Sequence, residues 1–212
     1  PIFKQKINGK PLVYLDSANS SQKTKVVIDK ISNFYETEFS NVGRSDHTLA
    51  VKATNRFEAT RDKVQKYLNA KHREEIIFTK GATEAINLVA SSYGKKYINK
   101  GDEILITELE HHSNYVPWNF LRTEKGAVIK FAQVNEDGDI EIEEIKKLIT
   151  NKTKIIAITH ISNVTGAVLP ITKIVDLAKE KNIPVLIDGT QGAPHSEIDM
   201  QKIGCDFYAI SC

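Results

Sequence analysis

From residue 75 onward, short apolar runs alternate with amphipathic stretches. Runs of strand character stand at Glu75–Thr79, Glu103–Thr107, Ala127–Phe131, Lys154–Thr159, Pro184–Asp188 and Asp206–Ile210. Helical periodicity occupies about 82–96, 114–124, 140–149 and 171–182, and Gly101-Asp102, Asp137-Gly138 and Lys181-Asn-Ile-Pro184 punctuate the ends. Strands alternating with helices predict βαβ units, an α/β fold class and a mostly parallel sheet. Upstream, Leu12–Asp16 predicts a short strand followed by the polar loop Ser17–Ser21. A helix is expected over about 24–38, with Val26, Val27, Ile31 and Phe34 on one face, and a longer, weakly periodic one over about 48–70. Between them, Glu38–His47 has turn chemistry and no period, and reads as an ordered loop.

Composition narrows the function classes. With 212 residues, 41% hydrophobic and 26% charged, the chain can bury one large core, with or without an appendage. The net charge of +2 comes without a basic patch interleaved with aromatics, so nucleic acid is not an expected partner. No apolar stretch approaches the roughly 18 residues of a membrane span, and the amino-terminal residues show no apolar signal region. Cys205 and Cys212 are too few for a disulfide framework. A cytoplasmic location is the expectation. The sequence stops at Ser211-Cys212, immediately after an apolar strand, and so reads as part of a longer polypeptide.

Chemistry gathers where the predicted strands end. Ile183-Pro-Val-Leu-Ile-Asp188 climbs to one carboxylate and breaks into Gly189-Thr-Gln191. In a parallel sheet that edge is where ligands sit, and a buried acid there calls for a cationic partner; capping of the turn is the alternative role. Lys80-Gly-Ala82-Thr83-Glu84 opens a helix whose N–H groups and dipole suit a phosphate, or else supplies ordinary first-turn residues. It is neither a Walker A loop nor a G-x-G-x-x-G fingerprint. Glu110-His111-His112-Ser-Asn114 offers an imidazole to stack on a planar cofactor and move protons, a metal ligand pair, or one structural and one exposed histidine. In His160-Ile-Ser-Asn163-Val-Thr-Gly166, Asn163 carries an amide that suits either a phenolic oxygen or a turn. Phosphate cradle, stacking imidazole, amide and acid together fit pyridoxal 5′-phosphate, whose pyridine nitrogen a carboxylate keeps protonated.

These segments also resemble a family. Leu15-Asp-Ser-Ala18, Lys80-Gly-Ala-Thr-Glu84, Glu110-His-His-Ser-Asn114 with Val116-Pro-Trp118, Ile161-Ser-Asn-Val-Thr-Gly166, Asp188-Gly-Thr-Gln191 and Cys205–Ser211 are similar, in order, to the SufS/CsdA-type (NifS-like, group II) cysteine desulfurases of the class V aminotransferase group. The resemblance implies a PLP-dependent transferase fold type I. Its three-layer α/β/α large domain would be truncated before the C-terminal small domain, with residues 1–20 an N-terminal segment and 21–212 the cofactor-binding large domain. It implies that Ala82, Thr83 and Ser211 bind the cofactor phosphate, that His111 stacks on the ring and transfers protons, and that Gln191 contacts the ring oxygen. Asn163 would meet the ring hydroxyl and the substrate carboxylate, and Asp188 would pair with the pyridine nitrogen.

The activity implied is conversion of L-cysteine, or L-selenocysteine, to L-alanine, leaving a persulfide for a sulfur-acceptor protein of SufE/SufU type and for iron–sulfur cluster assembly, by a homodimer. Asn19 and Gly43-Arg44-Ser45 depart from the family pattern. The Schiff-base lysine, substrate-binding arginine and nucleophilic cysteine fall outside this stretch, so the 212 residues alone are expected not to turn over. Cys205 reads as core and Cys212 as a small residue at a strand end. The rival readings are a kynureninase-like enzyme or aminotransferase, a metal-assisted hydrolase using His111, His112 and Asp188, and a non-catalytic sulfur-carrier partner.

Overall fold

The computed structural model describes residues 1–211, and the chain separates into two units, Pro1–Lys66 and Tyr67–Cys212. Cys212, expected as a small residue at a strand end, lies outside the described residues.

In the first unit, Lys6–Ile7 (β1) and Lys10–Pro11 (β2) pair antiparallel around Asn8-Gly9. Both turn residues have positive φ, +52° and +76°, as the tight hairpin turn that matches strand twist requires. Helices Lys25–Thr37 (α1) and Thr48–Tyr67 (α2) fall where periodicity places them. The strand expected at Leu12–Asp16 does not form: Val13 and Leu15 are 75% and 92% exposed. Apolar alternation produces a strand only where a ladder and a covered face are available, and this segment has neither among the described residues.

Among the described residues the second unit is built on five parallel strands: Glu103–Thr107 (β3), Val128–Ala132 (β4), Thr153–Thr159 (β5), Val185–Asp188 (β6) and Phe207–Ala209 (β7), in the order β4-β3-β5-β6-β7. All five stand within a residue or two of the apolar runs that predict them. β3 and β6 are buried along their whole length and β5 nearly so, because helices cover both faces. Ala82–Val89 (α3) continues through a π turn at Ala90–Gly94 into Lys95–Tyr97 (α4). With Val116–Lys125 (α5), α3 encloses Ile104, Ile106, Ile155, Ala157 and Leu186 on one face. On the other, Ile142–Leu148 (α6) and Ile171–Glu180 (α7) bring Ile145, Ile174, Val175 and Ala178 against β4 and β6. Two short helices, Gly192–His195 (α8) and Met200–Ile203 (α9), complete the path to β7.

Upstream of α3, Glu75 ends a 3-10 turn, and Ile76 is buried while Ile77 and Phe78 are exposed.

Topology decides where chemistry is possible. The chain leaves β3 for β4 on one side, then returns to β5 on the other and continues to β6 and β7. The strand order therefore reverses between β3 and β5, and the crevice outside their carboxyl ends is the switch point of the sheet.

The opposite edge of the sheet is structural. Glu103, buried at the start of β3, accepts from Thr150 Oγ1 at 2.6 Å and Thr153 Oγ1 at 3.3 Å, and pairs with Lys130 at 3.0 Å. Burial pushes its carboxyl up, but the Thr150, Lys130 and Thr153 interactions together hold it below its ordinary 4.5. A depressed folded pKa means stability that is present above the unfolded value and lost as pH falls through the folded one. In the full-length protein, Glu103→Gln should cost about 1 kcal/mol in denaturant unfolding at neutral pH. The difference from wild type should close as pH drops below the ordinary carboxylate range.

Candidate active site

Parallel strands deliver their carboxyl ends to one edge, so the residues just after β3, β5, β6 and β7 converge there by topology. Register makes this concrete: Thr159 pairs with Asp188, and Asp188 with Ala209. Asp188, the stretch from His160 to Asn163, and Ser211 two residues past β7 therefore share the edge. β3 reaches it through Glu108–Glu110 to His111. Helix α3 packs against both the His112–Asn114 turn and β7, and so joins the group.

Asp188 is the last residue of β6 and is 4% exposed. Its Oδ1 accepts from Thr190 N at 3.0 Å and Thr190 Oγ1 at 2.6 Å. Turn capping is thus one of its roles, and it uses one oxygen. Oδ2 receives no donor from the described residues. A buried carboxylate with an open oxygen is costly unless a further donor, best a cationic one, meets it. That is the requirement a protonated pyridine nitrogen satisfies.

His111 caps the 3-10 turn His112–Asn114. Its Nδ1 accepts from Ser113 N at 3.2 Å and lies 2.8 Å from Ser113 Oγ. With Nδ1 an acceptor of the backbone N–H, the neutral ring carries its proton on Nε2. The imidazole is otherwise exposed and available to a flat ligand. His112 is also exposed, its ring centroid 5.9 Å from that of His111. Among the described residues no group of three or more His, Cys, Asp or Glu side chains could hold a metal ion.

At the start of α3, Gly81 takes φ +154° and ψ 176°, a conformation open essentially to glycine alone. Glu84 reaches back to the N–H of Lys80, while the first-turn N–H groups of Ala82 and Thr83 point out of the helix end without intrahelical acceptors. Ala82 is buried and Thr83 exposed. Asn163 sits exposed at the tip of the Ile161–Val168 turn, whose shape is held by Ser162 accepting from Val164 N and Thr165 N. Gln191 is half-buried at the cap of α8, and Ser211 is exposed.

Two features go beyond the residues predicted from sequence. His160, nearly buried, holds Tyr208 through Nδ1 and the phenol oxygen at 2.8 Å. Burial lowers the pKa of His160 and, with Asp188 and Cys205 adding repulsion, raises that of Tyr208. Gly189 leaves the room this pair needs, since a Cβ there would come 2.0 Å from Tyr208 Cε1. Glu110, quoted above only as part of a motif, accepts from three donors at the strand ends: Thr107 Oγ1 at 2.6 Å, Asn114 Nδ2 at 2.6 Å and Thr159 N at 2.9 Å. An acid directly after the buried Leu109 was the available sign of it. The Cys205 thiol is pushed up to about 12 by burial and by Asp206, which suits packing rather than nucleophilic chemistry.

The family model described as aminotransferase class-V matches residues 13–212. A probable cysteine desulfurase of Halalkalibacterium halodurans is 47% identical over 211 residues, covering 100% of this chain and 52% of that protein. The crystal structure of the cysteine desulfurase CsdA from Escherichia coli superposes with a TM-score of 0.85 at 37% identity, covering 93% of this chain and 50% of that one. A structure described as SspA in complex with cysteine gives a TM-score of 0.85 at 27% identity, covering 92% and 55%. The chain spans about half the length of the curated relatives it matches.

The floor under Asp188 is testable apart from any ligand. Gly189→Ala in the full-length protein must displace the Tyr208 ring, and should lower unfolding stability by about 1–3 kcal/mol. Gly189→Ala combined with Tyr208→Ala should recover part of that loss in the same denaturant titration.

Proposed function

This chain belongs to the aminotransferase class-V family, and we propose that it forms the pyridoxal 5′-phosphate-binding part of a cysteine desulfurase. The observation that carries the reading is Asp188: a buried strand-end carboxylate at the ligand edge, with one oxygen held by Thr190 and the other open. When bound, the cofactor supplies an electron sink, which works while its pyridine nitrogen stays protonated. Asp188 Oδ2 would hold that proton. The first-turn N–H groups at Ala82 and Thr83, the Thr83 hydroxyl and Ser211 would take the phosphate. His111 would stack on the ring and move protons through Nε2. Gln191 would contact the ring oxygen, and Asn163 would meet both that oxygen and the substrate carboxylate.

The substrate proposed is L-cysteine, with L-selenocysteine as a chemical analogue, and the products are L-alanine and a protein-bound persulfide for iron–sulfur cluster assembly. The names of the relatives support that choice, as does the neighbour solved with cysteine. A homodimer working with a sulfur-acceptor protein of SufE/SufU type in the cytoplasm completes the reading. Among the described residues no helix is long and apolar enough to cross a membrane. We infer that the covalent cofactor anchor and the persulfide-bearing thiol lie outside these residues; in support, Lys202 is exposed on α9 and burial pushes the Cys205 thiol up to about 12.

The full-length protein should be yellow, and borohydride should fix the colour covalently. Asp188→Ala should stay soluble and folded while alanine production from L-cysteine falls by about 100-fold or more. Alanine formation at the wild-type rate would remove the ring-nitrogen role, and a colourless wild-type protein would remove the cofactor.

A further inference from the structure

The ladder between β3 and β5 stops early. Their register runs through Glu103, Ile104 and Leu105, and the last pair is Leu105 with Ile156. Beyond it each strand keeps only its outer neighbour, β4 for β3 and β6 for β5. On the β3 side, Glu108 N donates to Ala132 O of β4. On the β5 side, His160 N donates to Asp188 O of β6. The strands thus part where the switch-point crevice opens, which leaves the Thr159 N–H facing a gap that no backbone carbonyl fills. The Glu110 carboxylate fills it. Oε1 takes both Thr107 Oγ1 of β3 and Thr159 N of β5, while Oε2 takes Asn114 Nδ2. Asn114 is fully buried and held in turn by Trp118 Nε1 at 3.1 Å. The next residue on one arm of this bridge is His111, and four residues beyond Thr159 on the other is Asn163.

A structural brace would not need a carboxylate here. Burial pushes Glu110 up to about 7, with Asp188 adding repulsion and Thr107, Asn114 and Thr159 pulling it back. The site therefore retains an acid that is expensive to keep ionised. What the acid provides is three acceptor positions in one rigid group, linking both sides of the crevice and the turn that carries His111.

We propose that Glu110 is a positioning residue that sets the spacing of the β3 and β5 ends and thereby fixes His111 over the cofactor ring. The assignment rests on the cofactor reading above. It predicts that loosening Glu110 disturbs the seat of the ring more than its capture. Glu110→Gln keeps the shape but turns an amide donor toward the Asn114 amide. Thr107→Val removes that donor, together with the acceptor of Leu109 N, at nearly unchanged volume, and decides the question if the first variant does not fold.

In the full-length protein, both variants should bind pyridoxal phosphate with unchanged far-ultraviolet circular dichroism. The visible circular dichroism band of the bound cofactor should weaken. Turnover of L-cysteine should fall about tenfold with KM unchanged. Amide exchange at Thr159 should accelerate in the cofactor-free protein. Wild-type visible bands and turnover in a folded variant overturn the positioning role alone. A wild-type protein that takes up no pyridoxal phosphate overturns the cofactor reading and this proposal together.

Discussion

The structure turns on the burial of one carboxylate. Asp188 ends a strand buried on both faces, pairs in register with Thr159 and Ala209, and is 4% exposed. Placing an acid there costs desolvation that Thr190 offsets at Oδ1 only. The surroundings are adapted to keep it in place: Gly189 yields its side-chain space to Tyr208, and His160 pins that phenol from β5. An acid so supported, with one oxygen unspent, fits the proposed role of meeting a cation from outside the fold.

The rest follows from where parallel strands point. Reversal of strand order between β3 and β5 opens a crevice, and each strand that ends near it contributes one kind of group. β3 leads to an imidazole, β5 to an amide, β6 to the acid, and α3 presents the N–H groups of its first turn. The two edges of the sheet divide the work. Glu103, hydrogen-bonded and paired with Lys130, stabilises the amino-terminal edge, while at the carboxyl edge Asp188 keeps one oxygen without a donor from the described residues. This division is what a ligand site on an α/β scaffold requires.

Much of this was legible in the sequence. The strands of the described sheet and the helices between them follow from the apolar runs and their punctuation, and β3, β5 and β6, buried on both faces, leave the strongest signal. Leu12–Asp16 shows the limit. Its apolar character is as strong, but a strand depends on a neighbour that local sequence does not name. In the site, Asp188, His111, Asn163 and the start of α3 stand out because each follows a predicted strand. Glu110 and the His160–Tyr208 pair do not, since their roles arise from contacts across 48 or 49 residues of chain. The parting of β3 and β5 that gives Glu110 its place is a property of register, which no single strand displays.

The central claim is that Asp188 holds a proton on the cofactor's ring nitrogen. The direct test is the 15N chemical shift of that nitrogen in the full-length protein loaded with ring-labelled pyridoxal phosphate. The account predicts the shift of a protonated pyridine, persisting to pH values at which the free ring has lost its proton. A neutral-pyridine shift in the wild-type protein at neutral pH would contradict it.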